Sequence, residues 1–247
     1  MNGKSILCDG GERFVDAVIF DVDDTLYDQL QPFKKAFLFH FKHLSDVPIE
    51  KLYLSSRKHS DRLFHKSEAG TVSLLELHTY RIMAACEEFG IDIKYEEAVK
   101  FQQTYEKEQK KIAPFPEIIT LLERLCQRNK QLAILSNGPH QHQLMKVRQL
   151  GLTKWIPAEN IFISGAIGCA KPDPAAFLYV EKKLQLKKEK AVYIGDSFEN
   201  DVIGAKQAGW KAIWMNHRKR DMPDSRVFPD KIVYSPRELL DLADFCL

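Results

Sequence analysis

The sequence predicts an α/β protein: a parallel sheet flanked by helices, with an all-helical unit inserted near its start. Three observations carry this. Short apolar runs alternate with helical stretches from about residue 114 onward; a similar run, Ala17-Val18-Ile19-Phe20, stands far upstream; and the segment between has helical periodicity throughout. From Asp21, ending the first run, to Ser136, ending the second, is 136 − 21 = 115 positions. A strand–helix–strand unit needs only about 30 or somewhat more, so the surplus is domain-sized. The expected division is residues 1–28 core, including a short polar lead-in, 29–113 helical cap, and 114–247 core.

Taken in order, residues 1–14 read as a loose lead-in and 16–20 as a buried strand. From Leu30 to Lys111, apolar residues recur at helical spacing: Phe33, Phe37, Phe41 and Leu44, then Leu74, Leu77, Ile82, Met83 and Ala85. With Pro48, Gly70 and Gly90 as punctuation, about four helices are expected there. A helix over about 116–129 leads to the strand Leu132–Leu135, and a helix over about 140–150 stops at Gly151. Ile161–Ile163 is a third strand; Asp173 is placed to cap a helix with Pro174 at its first position. Ala191–Ile194 is a fourth strand, followed by a helix to Ala208, shorter strands at 212–214 and 232–233, and a last helix after Pro236.

A chain of 247 residues, 45% hydrophobic, can bury a large core and a smaller one, and a net charge of +2 gives no reason to expect a polyanion partner. No stretch is apolar enough to span a membrane, and Met1–Arg13 lacks a signal peptide's hydrophobic segment. Cys8, Cys86, Cys126, Cys169 and Cys246 are scattered and form no paired motif, which fits unpaired thiols in a reducing cytoplasm.

The chemistry gathers at strand ends. Asp21 and Asp23 follow the first strand, Ser136 and Asn137 the second, Lys171 lies after the third, and Asp196 follows the fourth. In a parallel sheet these ends share one edge. Asp21 and Asp23 repel each other unless a cation or a proton intervenes. Asp21, Asp23 and Thr25 also sit at positions 1, 3 and 5 of a calcium loop, but Leu26 replaces the required glycine and Pro32 the final acid, which excludes that reading.

These residues resemble the haloacid dehalogenase-like (HAD) hydrolases. Asp21-Val22-Asp23-Asp24-Thr25 looks like that family's first motif, Ser136 after its strand like the second, Lys171 before Pro172 like the third, and Gly195-Asp196 with Asn200-Asp201 like the fourth, in the family's order. The resemblance implies a Rossmann-like core of strand order 5-4-1-2-3 with a helical cap of the family's first type. It implies phosphoryl transfer through an aspartyl-phosphate, with Asp21 as nucleophile and Asp23 as acid and base. Asp21, the backbone carbonyl of Asp23 and Asp196 would hold Mg²⁺; Ser136, Asn137 and Lys171 would bind the phosphate. Asp201 would support the metal's water shell or hold Lys171, and Thr25 would fix the loop. The substrate implied is a small phosphorylated metabolite, a nucleoside monophosphate or sugar phosphate, with no nucleic-acid or membrane partner. A phosphomutase on the same scaffold and a non-catalytic phosphate- or metal-binding module stay open. A carbon–halogen hydrolase is disfavoured, because Asp23 supplies a leaving-group acid that those enzymes lack.

Other residues have plainer readings. Asp24 is expected to face solvent, and His217-Arg218-Lys219-Arg220 to be a solvated loop rather than an anion-binding patch. Arg57, His59, Arg62 and His65 fit either a substrate-choosing or an exposed helix face, and Phe33, Phe37 and Phe41 a packed core.

Overall fold

The computed structural model describes residues 15–44 and 46–246, so the lead-in expected over 1–14 lies outside the described residues. The chain divides into two compact units: one built from the chain up to Asp28 and from Ala113 onward, the other Gln29–Ile112.

The first unit is organised on β1 (Ala17–Phe20), β2 (Gln131–Ser136), β3 (Ile161–Ile163), β4 (Ala191–Gly195), β5 (Lys211–Met215) and β6 (Lys231–Val233). All pair in parallel, in the order β3-β2-β1-β4-β5-β6. Read from the other end, this is the implied five-strand order with β6 added beside β5. Every residue of β1 and β4 is buried, as expected for strands covered on both faces. Alternate residues (Ala17 and Ile19, Ala133 and Leu135, Ala191 and Tyr193) pack with Phe177, Val180 and Trp210 into one apolar cluster.

The second unit holds α1 (Leu30–His40), α2 (Ile49–Glu68), α3 (Leu74–Glu88) and α4 (Tyr95–Gln109), the four helices the periodicity predicts. Ser73 and Glu76 close a capping box at the start of α3, and Gly90, at φ 69°, follows its end. Phe33, Phe37 and Phe41 are core, as expected; Phe33 meets Phe101 edge to face at 5.2 Å between ring centroids. Of the polar residues singled out on α2, His59 is buried against Glu88 with 2.9 Å between Nε2 and Oε1, and Arg62 is exposed. The side chain of His65 lies outside the described residues.

Back in the first unit, α5 (Pro116–Gln127) precedes β2, and α6 (His140–Gln149) follows it. α7 (Ser164–Ile167) is a single turn, and α8 (Pro174–Leu184) begins as predicted, with the Asp173 carboxylate accepting from the Ala175 N–H at 2.9 Å. After β4 comes a π-helical turn, Phe198–Ile203, leading into α9 (Gly204–Gln207); α10 (Pro236–Cys246) closes the chain. Such π turns concentrate at functional sites, and this one carries Asp201. Among the described residues no helix is long and apolar enough to cross a membrane.

Candidate active site

Register fixes the site. Phe20, the last residue of β1, pairs with Ile134 on one side and Ile194 on the other, so the residues that follow these strands emerge together. Asp21 continues the ladder, donating its N–H to the Ile194 carbonyl at 2.9 Å. Lys171 Nζ is the hub: it lies 2.8 Å from Asp21 Oδ1, 2.6 Å from Asp201 Oδ1 and 2.6 Å from Tyr193 Oη. The lysine is 3% exposed, a burial its ammonium tolerates because three oxygens surround it. Burial works against its charge, but Asp201 and Asp21 outweigh that and hold its pKa above the ordinary lysine value. Tyr193, its phenol pKa pushed well up by burial and by the nearby acids, stays neutral and donates onward to the Leu135 carbonyl at 2.6 Å.

Asp201 is therefore the residue that holds Lys171, one of the two roles expected for it; its other oxygen accepts from the Ser197 N–H at 2.8 Å. Ser136 is buried at the end of β2. The Asn137 side chain is a tie between loops, donating to the Lys171 carbonyl at 2.7 Å and accepting its N–H at 2.9 Å. That amide fixes the loop carrying Lys171 against the end of β2. Thr25 is fully buried with its hydroxyl unpartnered, so the loop is fixed by the backbone turn, in which the Leu26 N–H reaches the Val22 carbonyl at 3.1 Å.

Two expectations are corrected. Asp24 does not face solvent: it is 2% exposed, sits at φ 55°, and accepts from Arg218 Nη2 at 2.7 Å and Nε at 3.1 Å. The run His217–Arg220 is likewise no solvated loop. Arg218 also meets Asp28 at 2.5 Å, and Arg220 Nη2 lies 2.7 Å from Asp196 Oδ2. Its positive charge answers the acids of the site, which local sequence could not show.

Sequence reasoning also missed the surroundings of Asp23. Lys146 Nζ lies 2.7 Å and 2.6 Å from its two oxygens, Gln143 Nε2 donates at 3.0 Å and Tyr27 Oη at 2.5 Å. A signal existed: Gln143, Lys146, Val147 and Leu150 occupy i, i+3, i+4 and i+7, a core-facing stripe of α6 and its cap with two polar members.

Carboxylate oxygens of Asp21, Asp196 and Asp201 come within 4.8 Å of one another. Burial first, then Asp201 and Asp23 against the pull of Lys171, raise the Asp21 pKa to about 6. Burial first, then Asp24, Asp201 and Asp21 against the pull of Arg220, raise Asp196 to about 8. Crowded hard oxygens whose charge is incompletely answered fit a divalent cation of the magnesium type. Asp21 and Asp196, each with one oxygen paired to a base, could hold such an ion, whereas both oxygens of Asp201 are engaged. Cys86, Cys126 and Cys169 are free thiols whose pKa values burial pushes up, Cys86 to about 12, so they stay unreactive.

A parallel sheet with an aspartate just past its central strand, a buried lysine beside it and further acids from the next strand end makes an α/β protein with a charged site at one sheet edge. The chain belongs to the haloacid dehalogenase-like hydrolases, whose family pattern matches residues 15–209. It is 28% identical over 249 residues to glyceraldehyde 3-phosphate phosphatase of Methanopyrus kandleri, covering 92% of this chain and 97% of that one. It is 24% identical over 231 residues to pyrimidine 5'-nucleotidase YjjG of Escherichia coli, covering 92% and 97%. Its fold is similar to that of HAD-hydrolase YfnB from Bacillus subtilis, a structure described as bound to magnesium (TM-score 0.70, 24% identity, 94% and 99% covered).

Proposed function

We propose that this chain is a Mg²⁺-dependent phosphomonoester hydrolase, acting in the cytoplasm on a small phosphorylated metabolite through an aspartyl-phosphate on Asp21. The observation that carries the reading is the pairing of Asp21 with buried Lys171 at 2.8 Å, with Asp23 two residues on in a separate polar setting. The nucleophile and the proton-transfer group are thus adjacent in sequence but paired with different lysines.

In the first step Asp21 attacks phosphorus, a bond forms between its oxygen and phosphorus, and the phosphorus–oxygen bond to the leaving alcohol breaks. Asp23 gives its proton to the departing oxygen. Asp23 then takes a proton from water, whose oxygen attacks phosphorus and releases Asp21. A carboxylate approaching a phosphate dianion meets repulsion on the order of 4 kcal/mol per charge pair at about 4 Å in an effective dielectric near 20. Lys171 supplies one counter-charge. A magnesium ion held by Asp21, Asp196 and the Asp23 carbonyl would supply the rest by neutralising phosphoryl oxygens. Ser136, buried at the neighbouring strand end, would add a donor.

The phosphatase and nucleotidase relatives, each matched over nearly its whole length, support a phosphate ester such as a sugar phosphate or nucleoside monophosphate. The test is phosphate release from a panel of such esters with and without Mg²⁺. Asp21→Asn should abolish turnover while leaving the melting curve in place; an Asn variant that still releases phosphate refutes the covalent role of Asp21.

A further inference from the structure

The acids of this site do not share one cation. Lys171 answers Asp21 and Asp201, whereas Asp23 turns to a second buried lysine, Lys146, which reaches both of its oxygens at 2.7 Å and 2.6 Å. Tyr27 adds a hydrogen bond to Oδ1 and Gln143 one to Oδ2, so the carboxylate is fixed in rotation as well as in place. Although Asp23 is only two residues from Asp21, its carboxylate is not among the three whose oxygens crowd together; those belong to Asp21, Asp196 and Asp201.

Packing alone does not explain Lys146. It is 2% exposed and lies beside Val147 on the buried face of α6, where an apolar side chain of similar length would serve stability as well or better. Its buried ammonium meets the Asp23 carboxylate there instead.

We infer that Lys146, assisted by Gln143 three residues earlier on the same helix, is the positioning residue for the proton-transfer carboxylate, holding Asp23 aimed and apart from the cation-binding acids. The inference rests on the phosphatase reading. A carboxylate free to rotate spends less time within hydrogen-bond reach of the leaving oxygen, and proton transfer depends on that reach. Lys146 itself exchanges no proton and changes no bond. The proton passes from Asp23 to the leaving oxygen and is regained from the attacking water.

The experiment is a double-mutant cycle on the full chain with p-nitrophenyl phosphate and saturating Mg²⁺, comparing wild type, Lys146→Met, Asp23→Asn and the double variant. Lys146→Met should lower kcat at least about tenfold, a part of the 10²–10⁴ that acid–base catalysis supplies, with KM within about threefold. In the Asp23→Asn background the same change should cost nothing further, because there is no carboxylate left to aim. Equal losses in both backgrounds, or a KM effect with kcat intact, overturn the inference. Should Lys146→Met lose its melting transition, Gln143→Leu keeps both charges and must lower kcat several-fold in wild type but not in Asp23→Asn; an unchanged kcat also overturns it. Wild type without turnover, or Asp21→Asn with it, overturns the phosphatase reading, and this assignment falls with it.

Discussion

The raised carboxyl pKa values at the site make a thermodynamic prediction about the metal-free protein. Asp196 moves from 3.8 to about 8 on folding, with burial as the main cause. A group whose pKa rises on folding contributes stability that is complete below its unfolded value and is lost as pH climbs through its folded value. Between pH 5 and pH 8 the folded protein therefore keeps a proton at this site that the unfolded chain has released. Each pH unit in that window is worth about 1.4 kcal/mol, so three units remove on the order of 4 kcal/mol. Asp21, raised from 3.8 to about 6, adds a smaller loss in the acidic part of the same window. The two carboxyls repel each other and titrate together, so the sum is an upper bound. Urea unfolding at pH 5 and pH 8 in EDTA measures it, with Asp196→Asn as control. Wild type should lose several kcal/mol relative to the Asn variant as pH rises, and Mg²⁺ should restore stability at pH 8 in wild type alone, by about 2.7 kcal/mol at a hundredfold excess over its dissociation constant. A wild-type curve parallel to that of Asp196→Asn refutes the argument, for it would mean that this carboxylate pays no penalty for its burial.

Arg218→Ala should destabilise the protein by about 3 kcal/mol in denaturant unfolding, because it takes two charge-assisted hydrogen bonds from the buried Asp24 carboxylate; a loss under 1 kcal/mol would place that charge in water after all. Gly195→Ala should abolish phosphate release with only moderate loss of stability, since a Cβ there runs into the Asp201 carboxylate that holds Lys171; retained turnover would show that the acid can move without consequence. Ser73→Ala, in the four-helix unit, should cost about 1 kcal/mol through loss of the capping box and leave turnover per folded molecule unchanged.

What was legible in the sequence is what has a local signature. Strands such as Ala191–Gly195 announce themselves as apolar runs, Asp173-Pro174 marks a helix start, and the interval from Asp21 to Ser136 exposes an insertion. Acids and a lysine at strand ends are legible for the same reason, because parallel pairing converts sequence position into shared location. Ion pairing between distant segments leaves no period to read. Arg218 and Asp24 are 194 residues apart, and nothing near either names the other. A cluster of basic residues after a strand thus read as solvated, and an acid beside the nucleophile as exposed. Lys146 and Gln143 are an intermediate case, since their helical spacing pointed inward while their chemistry suggested outward.

The arrangement of charge explains why these basic residues are spread over four positions. Six carboxylates gather here (Asp21, Asp23, Asp24, Asp28, Asp196 and Asp201), answered among the described residues by Lys146, Lys171, Arg218 and Arg220. The four bases are not equally committed: the side chains of Lys146, Lys171 and Arg218 are 2%, 3% and 5% exposed, whereas that of Arg220, which holds Asp196, is 33% exposed. On the magnesium reading, Asp196 is the ligand that must exchange a partner for the ion, and it is paired with the one base whose guanidinium can return to water at little cost. Had Asp196 been matched to a lysine buried as deeply as Lys171, metal entry would strand an ammonium in the core.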